Sequence, residues 1–149
     1  MEEQLEFIKN FISSDKSKYH AFPITPDHET RGGESATSAN KRLEYIAKMS
    51  RTLQEEGYAT WIYLSEYSYH IAQQHNFYPI QKFWVANYGA NDSNTPPEKR
   101  ANKLDGYPAN IEVWQYTSNG EINAERGINY YGRIDRNLMP KSVYEKYTD

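Results

Sequence analysis

Residues 38–64, SANKRLEYIAKMSRTLQEEGYATWIYL, hold a helix, a stop and a strand in immediate succession. From Ser38 to Glu56 the residues Leu43, Ile46, Ala47, Ser50 and Leu53 recur at offsets of three and four, which predicts a helix with one apolar stripe. Gly57 is a natural C-terminal stop, because a residue without a Cβ can enter the left-handed conformation that ends helices. Tyr58 to Leu64 is then too short for a helix and rich in aromatic and β-branched side chains, as a buried strand should be.

Working outward, Glu2 to Ser13 places Leu5, Ile8, Phe11 and Ile12 at helical spacing behind acidic residues that suit a helix start. His20 to Asp27 alternates Phe22 with Ile24 and is punctuated by Pro23 and Pro26, which predicts a strand with incomplete pairing. On the other side a short helix through Ile71 is expected. Strands follow at Phe83 to Tyr88 and Ile111 to Tyr116, with a last one at Arg133 to Asp135. Gly89 to Pro108 forms a long polar loop, and Ser118-Asn119-Gly120 carries a turn signal. Early alternation of helix and strand predicts an α/β architecture with a largely parallel sheet of about five strands, while the final strands arrive without helices between them.

Composition removes several function classes. The chain has 149 residues, one domain's worth, with 17 Lys and Arg against 20 Asp and Glu, a formal net charge of −3 that argues against a nucleic-acid partner. With no Cys there is no thiolate nucleophile, disulfide framework or Cys-ligated metal. The four histidines, His20, His28, His70 and His75, show no metal-ligand spacing, so neither a metal nor a cofactor is expected. No phosphate-binding glycine loop and no Gly-x-Ser-x-Gly elbow is present, which disfavours nucleotide chemistry and serine nucleophiles. No run of 18 apolar residues occurs, so no membrane association is expected, and the start MEEQLEFIKN lacks the layout of a secretory signal. Apolar area must come largely from amphipathic aromatics, since the chain carries 14 Tyr, 5 Phe and 3 Trp.

Asp27 and Glu29 are the acid pair of interest. Two apart at the end of a predicted strand, they should point to the same face about 6.5–7 Å apart along the chain, sharing one pocket. Such a pair can divide its labour: one carboxyl is held protonated by its neighbour and by burial while the other stays ionised, as glycoside hydrolysis requires. Capping of the following helix, or simple solvation, is the plainer account of an Asp-His-Glu tripeptide. Position favours chemistry, because sites in open α/β sheets and barrels lie at the carboxyl ends of strands, where this pair and Asp135 are expected. Among Tyr63, Trp84, Tyr88, Trp114 and Tyr116, core packing accounts for about half and a platform for sugar rings for the rest.

Four pieces of sequence, in order, resemble the glycoside hydrolase family 25 lysozymes, the N-acetylmuramidases of phage endolysins and bacterial autolysins. Pro26-Asp27-His28-Glu29 is similar to the family's Asp-x-Glu strand end, and Trp61-Ile62-Tyr63-Leu64-Ser65 to its Ile-Tyr-Thr-Ser strand. Phe83-Trp84-Val85-Ala86-Asn87-Tyr88 is similar to Leu-Trp-Val-Ala-x-Tyr. Val113-Trp114-Gln115-Tyr116-Thr117-Ser118 and Gly132-Arg133-Ile134-Asp135-Arg136-Asn137 are similar to the closing Trp-Gln-Tyr-Thr-Ser and Gly-x-Val-Asp-x-Asn.

The resemblance implies a partial (β/α) barrel that cleaves the β-1,4 bond between N-acetylmuramic acid and N-acetylglucosamine in peptidoglycan without a metal or organic cofactor. It implies that Glu29 is the general acid, with Asp27 and Asp135 orienting or stabilising the reacting sugar. Tyr63, Trp84, Tyr88 and Gln115 would line the groove. The family's first strand, with its Asp-Val-Ser, and two further βα units have no counterpart here, so the chain resembles about the last two-thirds of a catalytic domain, a single incomplete one. The alternative expectation is a glycan-binding remnant with impaired catalysis. An open sheet of this kind calls for a second chain, another copy or a rearranged terminus to complete it. Action is expected at the bacterial cell wall, with the protein released by lysis or made as a phage or prophage product.

Overall fold

The structure, a computed structural model, describes residues 2–13, 22–30, 33–89, 108–121 and 133–148. Helix α1 (Glu2–Ser13) precedes strand β1 (Asp27–His28), helix α2 (Ala36–Glu55), strand β2 (Ile62–Ser65), helix α3 (Glu66–Ala72) and strand β3 (Phe83–Ala86). Strands β4 (Ile111–Glu121) and β5 (Arg133–Leu138) follow, then helix α4 (Lys141–Thr148). The five strands form one sheet in the order β1-β2-β3-β4-β5. The first four are parallel, and β5 is antiparallel to β4. The mixed α/β architecture with a largely parallel sheet is therefore as expected. The long loop read from Gly89 onward falls, at residues 90–107, outside the described residues.

Helix α2 and the turn after it behave as their sequence dictates. The Ser35 hydroxyl caps the helix by accepting from the Ser38 N–H at 3.2 Å. Gly57, at φ +92°, closes the other end: the Tyr58 N–H reaches back to the Leu53 carbonyl at 3.0 Å, which turns the chain directly into the sheet. The buried stripe Leu43, Ile46 and Ala47 packs on Ile62, Leu64, Phe83, Val85 and Ile111, with Tyr69 and Ala72 of α3 closing the cluster. A smaller cluster of Leu5, Met49 and Leu53 docks α1 against α2.

Three elements differ from expectation. Of the strand read over His20 to Asp27, residues 20 and 21 lie outside the described residues, and the described part is regular only at Asp27, continuing to His28, with an isolated bridge from Ile24 to Thr60. Pro23 and Pro26 have no N–H to donate, so the segment pairs through what remains: Ile24 N–H to Ala59 at 2.9 Å and the Pro26 carbonyl to Tyr63 N–H at 3.0 Å. Ser118-Asn119-Gly120 is not a turn but part of β4, where register shifts against β5 absorb the small residues as strand irregularities. Helix α4 was not anticipated at all.

Strand alternation sends Tyr63 and Trp84 to the face away from α2 and α3. On that face, at the amino ends of the strands, the Tyr147 ring of α4 stands edge-on against Trp61 at 5.4 Å, and its hydroxyl donates to Glu112 Oε2 at 3.0 Å. Tyr144 meets Phe22 at 6.2 Å between ring centres. The end of the chain thus covers part of the face that an open sheet would expose. Among the described residues, no helix is long and apolar enough to cross a membrane.

Candidate active site

Parallel pairing brings the carboxyl ends of β1, β2 and β3 to one edge of the sheet, and the residues just past those ends build a groove. Its volume is about 470 Å³, and Glu29, Tyr63, Ser65, Tyr67, Asn87 and Tyr88 are among the residues that line it. Glu29 is placed there by its neighbours along the chain. His28 is 1% exposed and donates its Nε2–H to the Ala39 carbonyl of α2 at 3.0 Å, since a carbonyl can only accept. That bond pins β1 to the first turn of α2.

Tyr63 links the groove to the sheet behind it. Its hydroxyl donates to Gln115 Oε1 at 2.7 Å and is hydrogen-bonded to Tyr88. Burial, Tyr88 and the negative charges of Glu29 and Asp27 together hold the Tyr63 phenol protonated well above the ordinary tyrosine range. The effect of both acids on Tyr63 shows that they share its neighbourhood. A neutral O–H donor beside two carboxyls and an exposed Tyr67 ring make a surface suited to a sugar.

The acid pair is electrostatically coupled but opens on two sides. Burial first, and then the Glu29 charge, push the Asp27 carboxyl above its ordinary value, against the lowering influence of His28 and Arg42. Asp27 borders a second groove, of about 480 Å³, between α1 and α2, with Gln4, Phe7, Arg42 and Tyr45. A single shared pocket was expected from the period of two; regular β1 ends at His28, so Glu29 lies beyond the strand that would have kept the two side chains in step.

The remaining expected residues fall in two layers. Gln115 is 2% exposed and stands behind the groove wall, with its amide oxygen occupied by Tyr63. Trp84 is edge-on to Tyr63 at 5.6 Å and donates its indole N–H to Asn137 Oδ1 at 2.9 Å, so it braces Tyr63 from the β5 side. Asp135 is exposed on β5, two residues from Asn137 and hence on the same face, one step nearer the carboxyl ends of the parallel strands. The structure therefore gathers Glu29, Tyr63 and Tyr88 around one groove and sets Trp84 and Gln115 behind them, while Asp27 borders the second groove and Asp135 stands exposed on β5. Among the described residues, no group of three or more His, Asp or Glu is placed to hold a metal ion.

Sequence reading missed Asn137 as the partner of Trp84, although it lies within the quoted Gly-Arg-Ile-Asp-Arg-Asn. It also missed Tyr67 in the groove wall and Arg42 behind the acid pair, neither of which carries a motif. No curated protein and no solved structure gives a significant match to the chain. The family model described as glycosyl hydrolases family 25 matches residues 1–124, a span that contains the acid pair and the first four strands and stops before Asp135. With the Asp-His-Glu strand end, the parallel strands and the aromatic groove covered by that match, the chain belongs to glycosyl hydrolases family 25.

Proposed function

We propose that this chain is a lysozyme-type hydrolase that cuts the β-1,4 bond between N-acetylmuramic acid and N-acetylglucosamine in peptidoglycan. The observation that carries the reading is the placement of Glu29 with the Tyr63–Tyr88 pair in one groove at the strand ends, in a family 25 chain. Glu29 donates its proton to the glycosidic oxygen as the bond from the anomeric carbon to that oxygen breaks. Positive charge builds on the sugar ring as that bond breaks, the carboxylates of Asp27 and Asp135 stabilise or orient it, and a water oxygen finally bonds to the anomeric carbon while its proton passes to the carboxylates of the acid pair. Tyr63, Tyr88 and Trp84 hold the sugar directly or through one another, and Gln115 fixes the Tyr63 hydroxyl. The protein meets its substrate at the bacterial wall, released by lysis or made as a phage or prophage product.

Purified peptidoglycan incubated with residues 1–149 should release muropeptides with new muramic-acid reducing ends. No release, with the protein still sedimenting with the peptidoglycan, would replace this reading by a glycan-binding one.

A pH prediction follows from Asp27. A carboxyl raised in the folded state binds its proton more tightly there than in the unfolded chain, so its ionisation costs stability above the folded-state value and nothing below the ordinary value of 3.8. Asp27→Asn is expected to raise the urea midpoint at pH 7 and to lose that advantage as the pH falls toward 3.8, while lowering turnover. Equal midpoints for the two proteins at pH 7 would show that burial and Glu29 exert no strain on Asp27.

A further inference from the structure

Asp27 and Glu29 sit on the shortest strand of the sheet. Among the described strands β1 pairs only with β2, over two residue positions, and Glu29 lies past the last of them. Something other than the ladder must therefore fix the main chain that carries the acid. Arg42, on the second turn of α2, supplies it. Its Nη2 donates to the Glu29 main-chain oxygen, and its guanidinium is gripped bidentately by Glu34, with Nη1 to Oε1 at 2.8 Å and Nη2 to Oε2 at 2.7 Å. Glu34 is itself steadied by the Ser38 hydroxyl at 3.1 Å and lies one residue before the Ser35 cap.

The Glu34 carboxylate is mostly buried and the guanidinium half-buried, so the pair is shielded from competing water. A planar fork held on one edge by a carboxylate has little freedom left, and its remaining donor points where the fold aims it. One residue earlier, the buried His28 ring reaches Ala39, three residues before Arg42 on the same helix. The two bonds tie the strand end to α2 at successive residues, His28 and Glu29.

We propose that Arg42, oriented by Glu34, is a positioning residue for the acid pair: it touches no sugar but fixes the main chain at Glu29 and sets its positive charge beside Asp27. This rests on the reading of Glu29 as proton donor. Displacing a catalytic group by about 1 Å costs on the order of 100-fold in rate, so a single main-chain anchor at this position is worth much of the turnover. The titratable groups around Asp27 are His28 and Glu29 next along the chain, Tyr63 on β2, Arg42 and Tyr45 on α2, and Glu3 on α1, which with Tyr45 lines the same groove. Of these, Arg42 alone joins a positive charge next to Asp27 with a main-chain bond to Glu29.

The test compares Arg42→Ala, Arg42→Lys and Glu34→Gln with the parent in the full 149-residue chain. Turnover of solubilised peptidoglycan should fall about 10- to 100-fold in Arg42→Ala with the half-saturating concentration unchanged. Arg42→Lys, which keeps the charge and loses the fork, and Glu34→Gln, which loosens the grip, should fall in between. Carbon-13 NMR supplies a readout independent of activity: the Glu29 carbonyl resonance should move in Arg42→Ala, and the Asp27 titration should shift upward because a stabilising positive charge has gone. Full turnover in a folded Arg42→Ala protein overturns the proposal. An unmoved Glu29 carbonyl with an unmoved Asp27 titration overturns it as well, even if the parent shows no turnover and the hydrolase reading itself has failed. If Arg42→Ala does not fold, turnover and the Glu29 carbonyl resonance of Arg42→Lys and Glu34→Gln decide, an unmoved resonance in both overturning the proposal.

Discussion

The Glu29→Gln protein is expected to fold like the parent and to release muramic reducing ends about 100- to 10,000-fold more slowly. The substitution preserves the shape of the side chain, and the main-chain oxygen that receives Arg42 is untouched, so the strand end stays where α2 holds it. What disappears is the proton. An amide cannot deliver one to the leaving oxygen, and the other carboxyl that lines the groove, Glu66, begins α3 at the end of β2 rather than beside Asp27 on β1. A second signature accompanies the loss. Glu29 is one of the influences that raise Asp27, so its neutralisation should let the Asp27 titration fall back toward the ordinary value, opposite in sign to the effect of Arg42→Ala. Asp135→Asn, which removes a stabilising charge at an exposed position rather than the proton donor, should cost less. Parent-level release by Glu29→Gln would end the assignment of Glu29 as the acid.

How far the sequence reaches is decided by which forces set each element. Helix α2 is legible because its stripe, its cap at Ser35 and its stop at Gly57 agree, and the strands behind it are legible because Trp61 to Ser65 and Phe83 to Ala86 are too short and too β-prone to be anything else. The acid pair is legible as a pair, since Asp27 and Glu29 lie at a strand end. Its division between two grooves is not, because the period of two applies only while the strand lasts, and β1 stops at His28. Ser118 to Gly120 misleads for a related reason: turn-type residues are also those that a long, irregularly paired strand tolerates.

Tertiary partners leave weaker traces still. Glu34 and Arg42 are eight residues apart, one in a loop and one in a helix, and nothing in either local pattern announces that they meet behind Glu29. Helix α4 is only eight residues long, and its apolar side chains Val143, Tyr144 and Tyr147 are too few to show a period. A Pro140 before its first turn and the Lys141–Glu145 pair, at 3.1 Å, are the local cues to a helix that the sequence carries. What makes it a helix is the aromatic surface it finds on the sheet.

That surface predicts a large stability effect: Trp61→Ala should lower the unfolding free energy by about 3–5 kcal/mol. Trp61 is 3% exposed and is met by rings on three sides, Phe22 at 6.5 Å, Trp84 at 6.4 Å and Tyr147 at 5.4 Å. Removing it leaves a cavity among partners that belong to three different segments and cannot all collapse inward. It also strips a donor from Glu112, a carboxylate 5% exposed that takes the Trp61 indole N–H at 2.6 Å and the Tyr147 hydroxyl at 3.0 Å. Lys82 and Lys146 stand 3.7 and 3.6 Å from the other oxygen, so the charge keeps some compensation, and the added cost is that of one buried hydrogen bond to a charged group. Two milder variants separate the contributions. Trp61→Phe keeps most of the ring and loses the N–H, for about 1–3 kcal/mol, and Tyr147→Phe loses only the hydroxyl, for about 0.5–1.5 kcal/mol. Urea unfolding measures all three, with the midpoint falling and the slope unchanged where the native packing alone is altered. Because Trp84 bridges Trp61 to Tyr63, Trp61→Ala should also slow turnover by loosening the groove from below, though far less than Glu29→Gln. A loss below about 1 kcal/mol in Trp61→Ala would mean that α4 and the aromatic face are not packed together in solution, since a cavity of this size cannot form in a packed interior at so small a cost.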